Sequence, residues 1–350
     1  MRKYSCACTC VYTCRRGLAV ALVIALMVAT LAFLPSCSET APTTKDNNCL
    51  TIVCTSFAAK EIAKALTQDW LTLETGHGYD SLQISILGQG GRDLHSYEPT
   101  AADLVSLYNA DVFIYVGDSA EPWVASALSA VDAQSLVFSM MEACDSDLLP
   151  MNHDEEDCED GHDHDSVSYD EHIWMSLRNM MTLTSALGEQ LRELLPHAAD
   201  LIQANEDAYV DELSSLDEAY AEMVAGAMRK EVLVADRNPF AYLMHDYGIK
   251  THAAFPGCSS ETEASFATQA NLLEIVKRKK LPYVLQTEGG ESSIAKTLSQ
   301  STGTGVLVLN ACQVMTDDER LNTAYIDIMR DNLETLRKAL WDPDLPPVLN

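Results

Sequence analysis

Basic residues are scarce in this chain of 350 residues: Lys and Arg number 23 against 52 Asp and Glu, which gives a formal net charge of −29 at pH 7. Such an acidic surface disfavours nucleic acid and anionic substrates as partners. It raises the local concentration of cations, although charge alone does not make a binding site. Solubility through net charge accounts for the same excess. We therefore expect no nucleic-acid binding.

The motifs of several common catalytic and metal sites are also missing. The chain has no His-Glu-x-x-His run, which a zinc hydrolase of that type would need. The glycines near position 90 are not followed by the Lys and Ser/Thr of a phosphate-binding loop, and no serine lies in a nucleophile elbow. No Cys-x-x-Cys pair indicates a structural zinc site. We therefore expect a binding protein and not an enzyme.

The N-terminal segment has the pattern of a secretion signal. Arg15 and Arg16 precede an apolar run at residues 18–34, and Leu-Pro-Ser-Cys follows at 34–37. This resembles the bacterial lipobox, so we expect a signal peptide at 1–36, lipidation of Cys37 and a tether at 37–49. A retained signal anchor is the alternative, since the apolar run is at the lower limit for spanning a bilayer. Either way the rest of the chain is extracytoplasmic, and we expect it to be anchored to the bacterial cell membrane.

Six cysteines remain after the leader and Cys37 are set aside, and an even number in an oxidising compartment allows up to three disulfides. The sequence does not reveal their pairing. These six are Cys49, Cys54, Cys144, Cys158, Cys258 and Cys312.

Short aliphatic runs alternate with helical patterns from residue 50 onward, which predicts βαβ units and parallel sheets. The pattern occurs twice, in an N-terminal lobe at 50–195 and a C-terminal lobe at 229–350. Residues 196–228 carry helical periodicity without an interior proline and predict one long rigid linking helix. The predicted fold is therefore α/β, with two lobes. The predicted strands are 50–54, 82–87, 112–116, 136–138, 232–235, 250–254, 283–286 and 306–309, and the last predicted helix is 318–340.

Ligands of open α/β sheets bind beyond the carboxyl ends of the strands, so residues that follow the predicted strands are candidates for an interlobe site. His172 lies on the connection to the linking helix and can reach the same cleft. The residues that we expect to converge there are His95, His172, Asp236, Arg237, Glu288 and Asn310.

Histidine-centred motifs restrict the type of ligand. Asp-Leu-His-Ser-Tyr-Glu-Pro lies at 93–99 and Tyr-Asp-Glu-His-Ile-Trp-Met at 169–175, and an acidic loop at 151–168 contains three more histidines. Imidazole suits zinc and related transition metals, whereas calcium and magnesium prefer oxygen shells. The loop is predicted to capture metal weakly, and a merely solvated acidic loop is the alternative. Its candidate ligands are His153, His162 and His164.

These motifs together resemble a known family. Residues 87–100 are similar to the Gly-x-Asp-Pro-His-x-Tyr-Glu-Pro-Thr segment of the zinc- and manganese-type solute-binding lipoproteins of metal ABC transporters. Residues 109–117, 170–175 and 325–340 match further segments of that family. The resemblance implies two α/β lobes bridged by a rigid helix, a metal between them, and delivery of the metal to a membrane permease.

The resemblance places His95 and His172 at the first two metal positions, but the third falls on Arg237 and the fourth on Asn310. An arginine cannot ligate a cation and needs a neutralising partner, such as Asp236 or Glu288. Glu288 is the preferred substitute ligand. In the alternative, Glu288 pairs with Arg237 and water is the third ligand. The other substitutes considered are Asp236, His252 and Cys258.

The expected function is that of a monomeric, lipid-anchored receptor that captures Zn²⁺ and passes it to an ABC permease with its ATPase. Mn²⁺ is the second candidate, although it favours more carboxylate ligands. An alternative is a lipoprotein of the same fold in which Arg237 holds an anion or a metal chelate, because a guanidinium suits carboxylate or phosphate.

Overall fold

The computed structural model describes residues 48–72, 79–88, 97–130, 135–151, 168–257 and 264–341. In the first lobe of this described chain, four parallel strands form a sheet in the order β2-β1-β3-β4. The central β3 is buried along its length, as expected for a parallel sheet covered on both faces. The strands are β1 (Cys49–Cys54), β2 (Ser81–Ile86), β3 (Val112–Tyr115) and β4 (Leu136–Ser139).

The helices of this lobe begin at local capping residues. The Ser56 hydroxyl accepts a hydrogen bond from the Ala59 amide at 3.2 Å and so starts α1 directly after β1. Thr100 and Asp103 form a reciprocal capping box at the start of α2. The helices are α1 (Phe57–Leu66), α2 (Ala101–Asn109), α3 (Val124–Ala127) and α4 (Met140–Ala143).

Two long helices connect the lobes. α5 (Leu177–Leu194) leads through a 3₁₀ turn at Pro196–Ala198 into α6 (Ala199–Ala225), whose 27 residues span about 40 Å at 1.5 Å per residue. One hydrophobic core extends from the first sheet through these helices to the second lobe. Among the described helices, none is both long and apolar enough to cross a membrane.

The second lobe repeats the arrangement of the first, with parallel strands in the order β6-β5-β7-β8 among the described residues. Its strands are β5 (Glu231–Asn238), β6 (Lys250–Pro256), β7 (Tyr283–Gln286) and β8 (Gly305–Val308). Its helices are α7 (Ala241–Asp246), α8 (Phe266–Lys279), α9 (Ser293–Thr302), α10 (Asp317–Asn322) and α11 (Tyr325–Leu340).

The predicted fold class, with two parallel-sheet lobes joined by a long helix, is confirmed. Two details were wrong. The helix predicted over 318–340 is broken, because Thr323 and Ala324 adopt extended conformations between α10 and α11. The strand predicted to end at residue 235 continues to Asn238, because a shift of register after Val234 lets it keep pairing with β6.

The cysteine prediction is corrected as well. Four of the six candidates for disulfides are free thiols: Cys49, Cys54, Cys144 and Cys312. Cys54, Cys144 and Cys312 are buried among apolar side chains, where a thiol packs as a small hydrophobe. Cys158 and Cys258 lie outside the described residues.

Candidate functional site

A cavity lies where the carboxyl ends of β1 and β2 face the segment that follows β8. In each sheet the strand order changes direction between the first and third strands of the lobe, β1 and β3 in one and β5 and β7 in the other. Open α/β sheets form ligand crevices at such switch points. Residues from both lobes line the cavity. They include Ser56, Gly88, Tyr97, Trp174, Cys312 and Gln313.

The segment that carries His95, residues 89–96, lies outside the described residues. The two residues that flank it, Gly88 and Tyr97, both line the cavity. Gly88 has φ of 73°, and a Cβ there would lie 2.8 Å from the Tyr97 ring, so only glycine allows this approach. The two residues that flank the His95 segment therefore contact each other at the cavity.

His172 is fully buried and directly precedes a 3₁₀ turn at Ile173–Met175. Its Nδ1 lies 2.8 Å from Asp170 Oδ1, and its backbone amide donates to the same oxygen at 2.9 Å. Because an ionised carboxylate only accepts, this contact assigns the ring proton to Nδ1 and leaves the lone pair on Nε2. A carboxylate that orients imidazole in this way is the usual support of a histidine metal ligand.

The C-terminal lobe packs closely against this His–Asp pair. A Cβ on Gly257, just after β6, would lie 3.2 Å from His172 Cε1 and 3.3 Å from Asp170 Oδ2. It would also lie 2.8 Å from the carbonyl oxygen of Asn238, at the end of β5. The Trp174 ring packs edge to face against the imidazole, with the ring centroids 5.4 Å apart. The imidazole therefore lies at the junction of the two lobes.

The acidic, histidine-containing loop leaves and re-enters the described chain beside this turn. Pro150 pairs with Tyr169 in an antiparallel bridge, and the Met151 amide donates to the Ser168 carbonyl at 2.8 Å. The stem of the loop is therefore attached two residues before Asp170. The loop residues themselves, with His153, His162 and His164, lie outside the described residues, as do Cys37 and Cys258.

Glu288 follows β7 and supports the opposite wall. Its Oε2 accepts the Ala311 amide at 2.8 Å, and its Oε1 accepts the amides of Gln313 and Val314 at 2.9 and 3.1 Å. The carboxylate thus shapes the segment after β8. Its role as a metal ligand stays a prediction. A metal would have to bind lone pairs of the Glu288 carboxylate that do not already accept these three hydrogen bonds.

Asn310 shapes the same segment by hydrogen bonds to backbone. Its Oδ1 accepts the Cys312 amide at 2.8 Å, and Cys312 has a left-handed φ of 61°. The side chain of Asn332, which is buried on α11, bonds both the amide and the carbonyl of Asn310 at 2.8 Å. An amide at this position therefore works as a turn former in the described structure.

The other candidates from the second lobe lie on two different strands, Asp236 and Arg237 on β5 and His252 on β6. Asp236 accepts the Arg237 amide and the Thr287 hydroxyl, both at 2.9 Å. His252 lies nearer the amino end of β6, where its Nε2 is 3.1 Å from Glu231 Oε2. His252 is thus turned towards the start of the sheet. Within the described residues, no group of three His, Cys, Asp or Glu side chains is spaced to hold a metal.

Sequence reasoning missed two features of the site. The support of His172 by Asp170 is one, although an acid two residues before a candidate ligand is a recognisable signal. Glu121 gave no signal: it is fully buried, its Oε2 accepts the Val116 amide at 2.7 Å, and burial raises its pKa to about 7, with the Glu171 charge adding to the rise.

Comparison with known proteins gives consistent matches. The family described as zinc-uptake complex component A, periplasmic, matches residues 52–339. The zinc-binding lipoprotein AdcA of Streptococcus pneumoniae (strain R6) is 31% identical over 323 residues, which cover 90% of this chain and 60% of that protein. The high-affinity zinc uptake system protein ZnuA of Bacillus subtilis is 27% identical over 263 residues, or 75% of this chain and 82% of that protein.

The structural comparison agrees with these matches. The Zn(II)-bound ZnuA-like domain of Streptococcus pneumoniae AdcA superposes with a TM-score of 0.66 and 28% identity, covering 84% of this chain and 99% of that domain. The chain spans about 60% of the length of the full-length streptococcal AdcA that it matches.

Proposed function

Because the chain belongs to the periplasmic zinc-uptake complex component A family, we propose that it is an extracytoplasmic receptor that captures Zn²⁺ for an ABC transporter. It hands the ion to the permease, which the partner ATPase drives, and it catalyses no reaction. The predicted family is confirmed. Relatives named zinc-binding lipoprotein and zinc uptake protein support zinc as the cargo ahead of manganese.

The observation that carries the proposal is the buried His172 held by Asp170. An imidazole whose Nδ1 is bonded to a carboxylate presents Nε2 to a cation, and this nitrogen is buried at the lobe junction. His95, on the segment whose flanking residues contact each other at the cavity, supplies the second imidazole. Glu288 supplies the group from the C-terminal lobe. The loop histidines His153, His162 and His164 capture the ion before transfer.

Attachment to the membrane follows from the first residues. Residues 1–36 are a cleaved leader, and the Cys37 thiol carries the lipid that holds the mature protein at the outer face of the cell membrane. The Leu-Pro-Ser-Cys run supports this, as does the name lipoprotein given to the streptococcal relative. Mass spectrometry of the mature protein from bacterial membranes tests it, and an N-terminus other than acylated Cys37 would refute the anchor.

The alternative, in which Arg237 holds an anion or a metal chelate, is not favoured. The relatives are named for zinc, and the carboxylates near His172 disfavour an anion. Calorimetry with zinc and with zinc chelates separates the two cases, because only the alternative predicts tighter binding of the chelate.

The zinc test uses metal-free mature protein from which residues 152–167 have been deleted, so that the loop does not contribute sites. We expect one zinc per chain by elemental analysis, and loss of that zinc when His95→Ala and His172→Ala are combined. His252→Ala is the matched control, since its imidazole is bonded to Glu231 near the amino end of β6. Retention of one tightly bound zinc by the double variant would overturn the assignment of the site.

A further inference from the structure

Groups of the C-terminal lobe bond the turn that presents His172, although the turn precedes that lobe in sequence. Hydrogen bonds reach it from several elements of that lobe. They are Tyr242 hydroxyl to Asp170 carbonyl at 2.7 Å, Tyr325 hydroxyl to Trp174 carbonyl at 2.6 Å, Trp174 Nε1 to Ala311 carbonyl at 2.9 Å, and Ser176 hydroxyl to Asp246 at 2.6 Å.

Tyr325 makes a second bond to the N-terminal lobe, at helix α1, as Tyr242 does at Leu149. Tyr325 is fully buried and is the first residue of α11, and its amide donates to Glu61 Oε2 at 3.2 Å. Glu61 belongs to α1 and is itself buried, with Lys64 Nζ at 3.3 Å from its other oxygen. One tyrosine therefore joins α1, α11 and the turn that carries His172.

The contact with Glu61 also supplies a side-chain acceptor at the start of α11, which the N-cap residue does not provide. That residue, Ala324, offers no side-chain hydrogen bond, so the amides of the first turn need acceptors from elsewhere. A carboxylate at a helix N-terminus satisfies an amide and complements the helix dipole. Glu61 thus fixes the start of α11 from the other lobe, and with it the position of the Tyr325 ring.

We propose that Tyr325 is a positioning residue for His172. Its hydroxyl fixes the Trp174 carbonyl, two residues from the imidazole, and its amide is fixed by Glu61. The backbone of the turn is thereby held so that His172 Nε2 meets the cation in one geometry. This inference rests on the proposed function, since it concerns the ligand geometry of the same zinc site.

The test compares Tyr325→Phe with Tyr220→Phe. Tyr220 is also fully buried, and its hydroxyl donates to the Met329 carbonyl on α11 at 2.6 Å, so both variants remove the same kind of bond from the same helix. Only the Tyr325 bond reaches the turn of His172. The measurements are the zinc Kd by competition with a chromophoric chelator, the d–d absorption of the Co²⁺-loaded protein, and the midpoint of denaturant unfolding of the metal-free protein.

We expect both variants to unfold at lower denaturant, since each leaves a buried carbonyl without its donor. Only Tyr325→Phe should weaken zinc binding, by about tenfold, and alter the Co²⁺ spectrum, because a displaced support changes ligand geometry. If Tyr325→Phe keeps the wild-type Kd and spectrum, Tyr325 is only structural and the inference is overturned. Equal weakening in Tyr220→Phe overturns it as well.

Glu61→Gln provides a second variant should Tyr325→Phe fail to fold. The amide keeps an acceptor for the Tyr325 N–H and removes the charge, so we expect a smaller loss of zinc affinity in the same direction, and an unchanged Kd counts against the inference. Failure of the wild-type protein to bind zinc would instead overturn the proposed function, and this inference with it.

Discussion

Replacing Asp170 by Asn tests how His172 is prepared for a metal. The aspartate accepts two hydrogen bonds from His172 on one oxygen, at 2.8 Å from Nδ1 and 2.9 Å from the backbone amide. Both residues are buried, with 6% of Asp170 and none of His172 exposed. Because the pair is buried, water cannot take over the hydrogen bonds that the carboxylate accepts from His172.

The magnitude follows from the loss of charge and from the ring tautomer. Hydrogen bonds to a charged acceptor are roughly twice as strong as neutral ones, so Asn weakens the support by about 1.5 to 3 kcal/mol. Asn can also turn its NH₂ group towards Nδ1, which would move the proton to Nε2 and block the metal-binding nitrogen. Loss of such a supporting acid typically weakens metal binding by about 10 to 100-fold.

The assay is zinc competition with a chromophoric chelator at fixed pH, beside denaturant unfolding of the metal-free protein. Asp111→Asn is the control, because Asp111 is equally buried and accepts the Thr51 amide at 2.8 Å and the Tyr79 hydroxyl at 3.3 Å. We expect the control to lose stability and to keep its zinc affinity. Wild-type affinity in folded Asp170→Asn would refute the reasoning.

Two further predictions concern Glu121 and Glu288. Burial raises the pKa of Glu121 from 4.5 to about 7, so between these pH values the folded state holds a proton that the unfolded state releases. The free energy of unfolding should therefore fall by up to about 3 kcal/mol as pH rises from about 4.5 to 7. Denaturant unfolding at several pH values should show a flatter profile for Glu121→Gln, and an unchanged slope would contradict this. Glu288→Gln should cost about 1 to 3 kcal/mol of stability, because three backbone amides share its carboxylate. If zinc-loaded Glu288→Gln keeps the wild-type coordination in X-ray absorption spectra, Glu288 is not a ligand.

The sequence was sufficient for the fold because its signals are local. Short aliphatic runs and capping residues such as Ser56 and Thr100 mark strands and helices within a few residues of themselves. The errors arose where distant contacts decide the conformation. The start of α11 at Tyr325 depends on Glu61, 264 residues earlier, and no local pattern between 318 and 340 announces that contact.

The same distinction applies to the site. His172 stands out in the sequence as a candidate because its residue type and neighbours are unusual, whereas its support does not, because Tyr242 and Tyr325 look like ordinary core residues. The sequence also does not predict that Glu288 supports the backbone after β8. Nothing near it in sequence indicates that its carboxylate accepts the amides of Ala311, Gln313 and Val314, which follow the neighbouring strand β8.

Electrostatics around His172 distinguishes a cation from an anion as the ligand. Three carboxyl groups, those of Asp170, Glu171 and Glu121, are almost fully buried, with 6%, 2% and 0% exposed. Burial raises the pKa of Glu121, and the charge of Glu171 adds to that rise. A bound anion would add negative charge to this poorly solvated region, whereas a divalent cation would offset it. These buried carboxyl groups therefore favour a cation over the anionic ligands that Arg237 alone would suit.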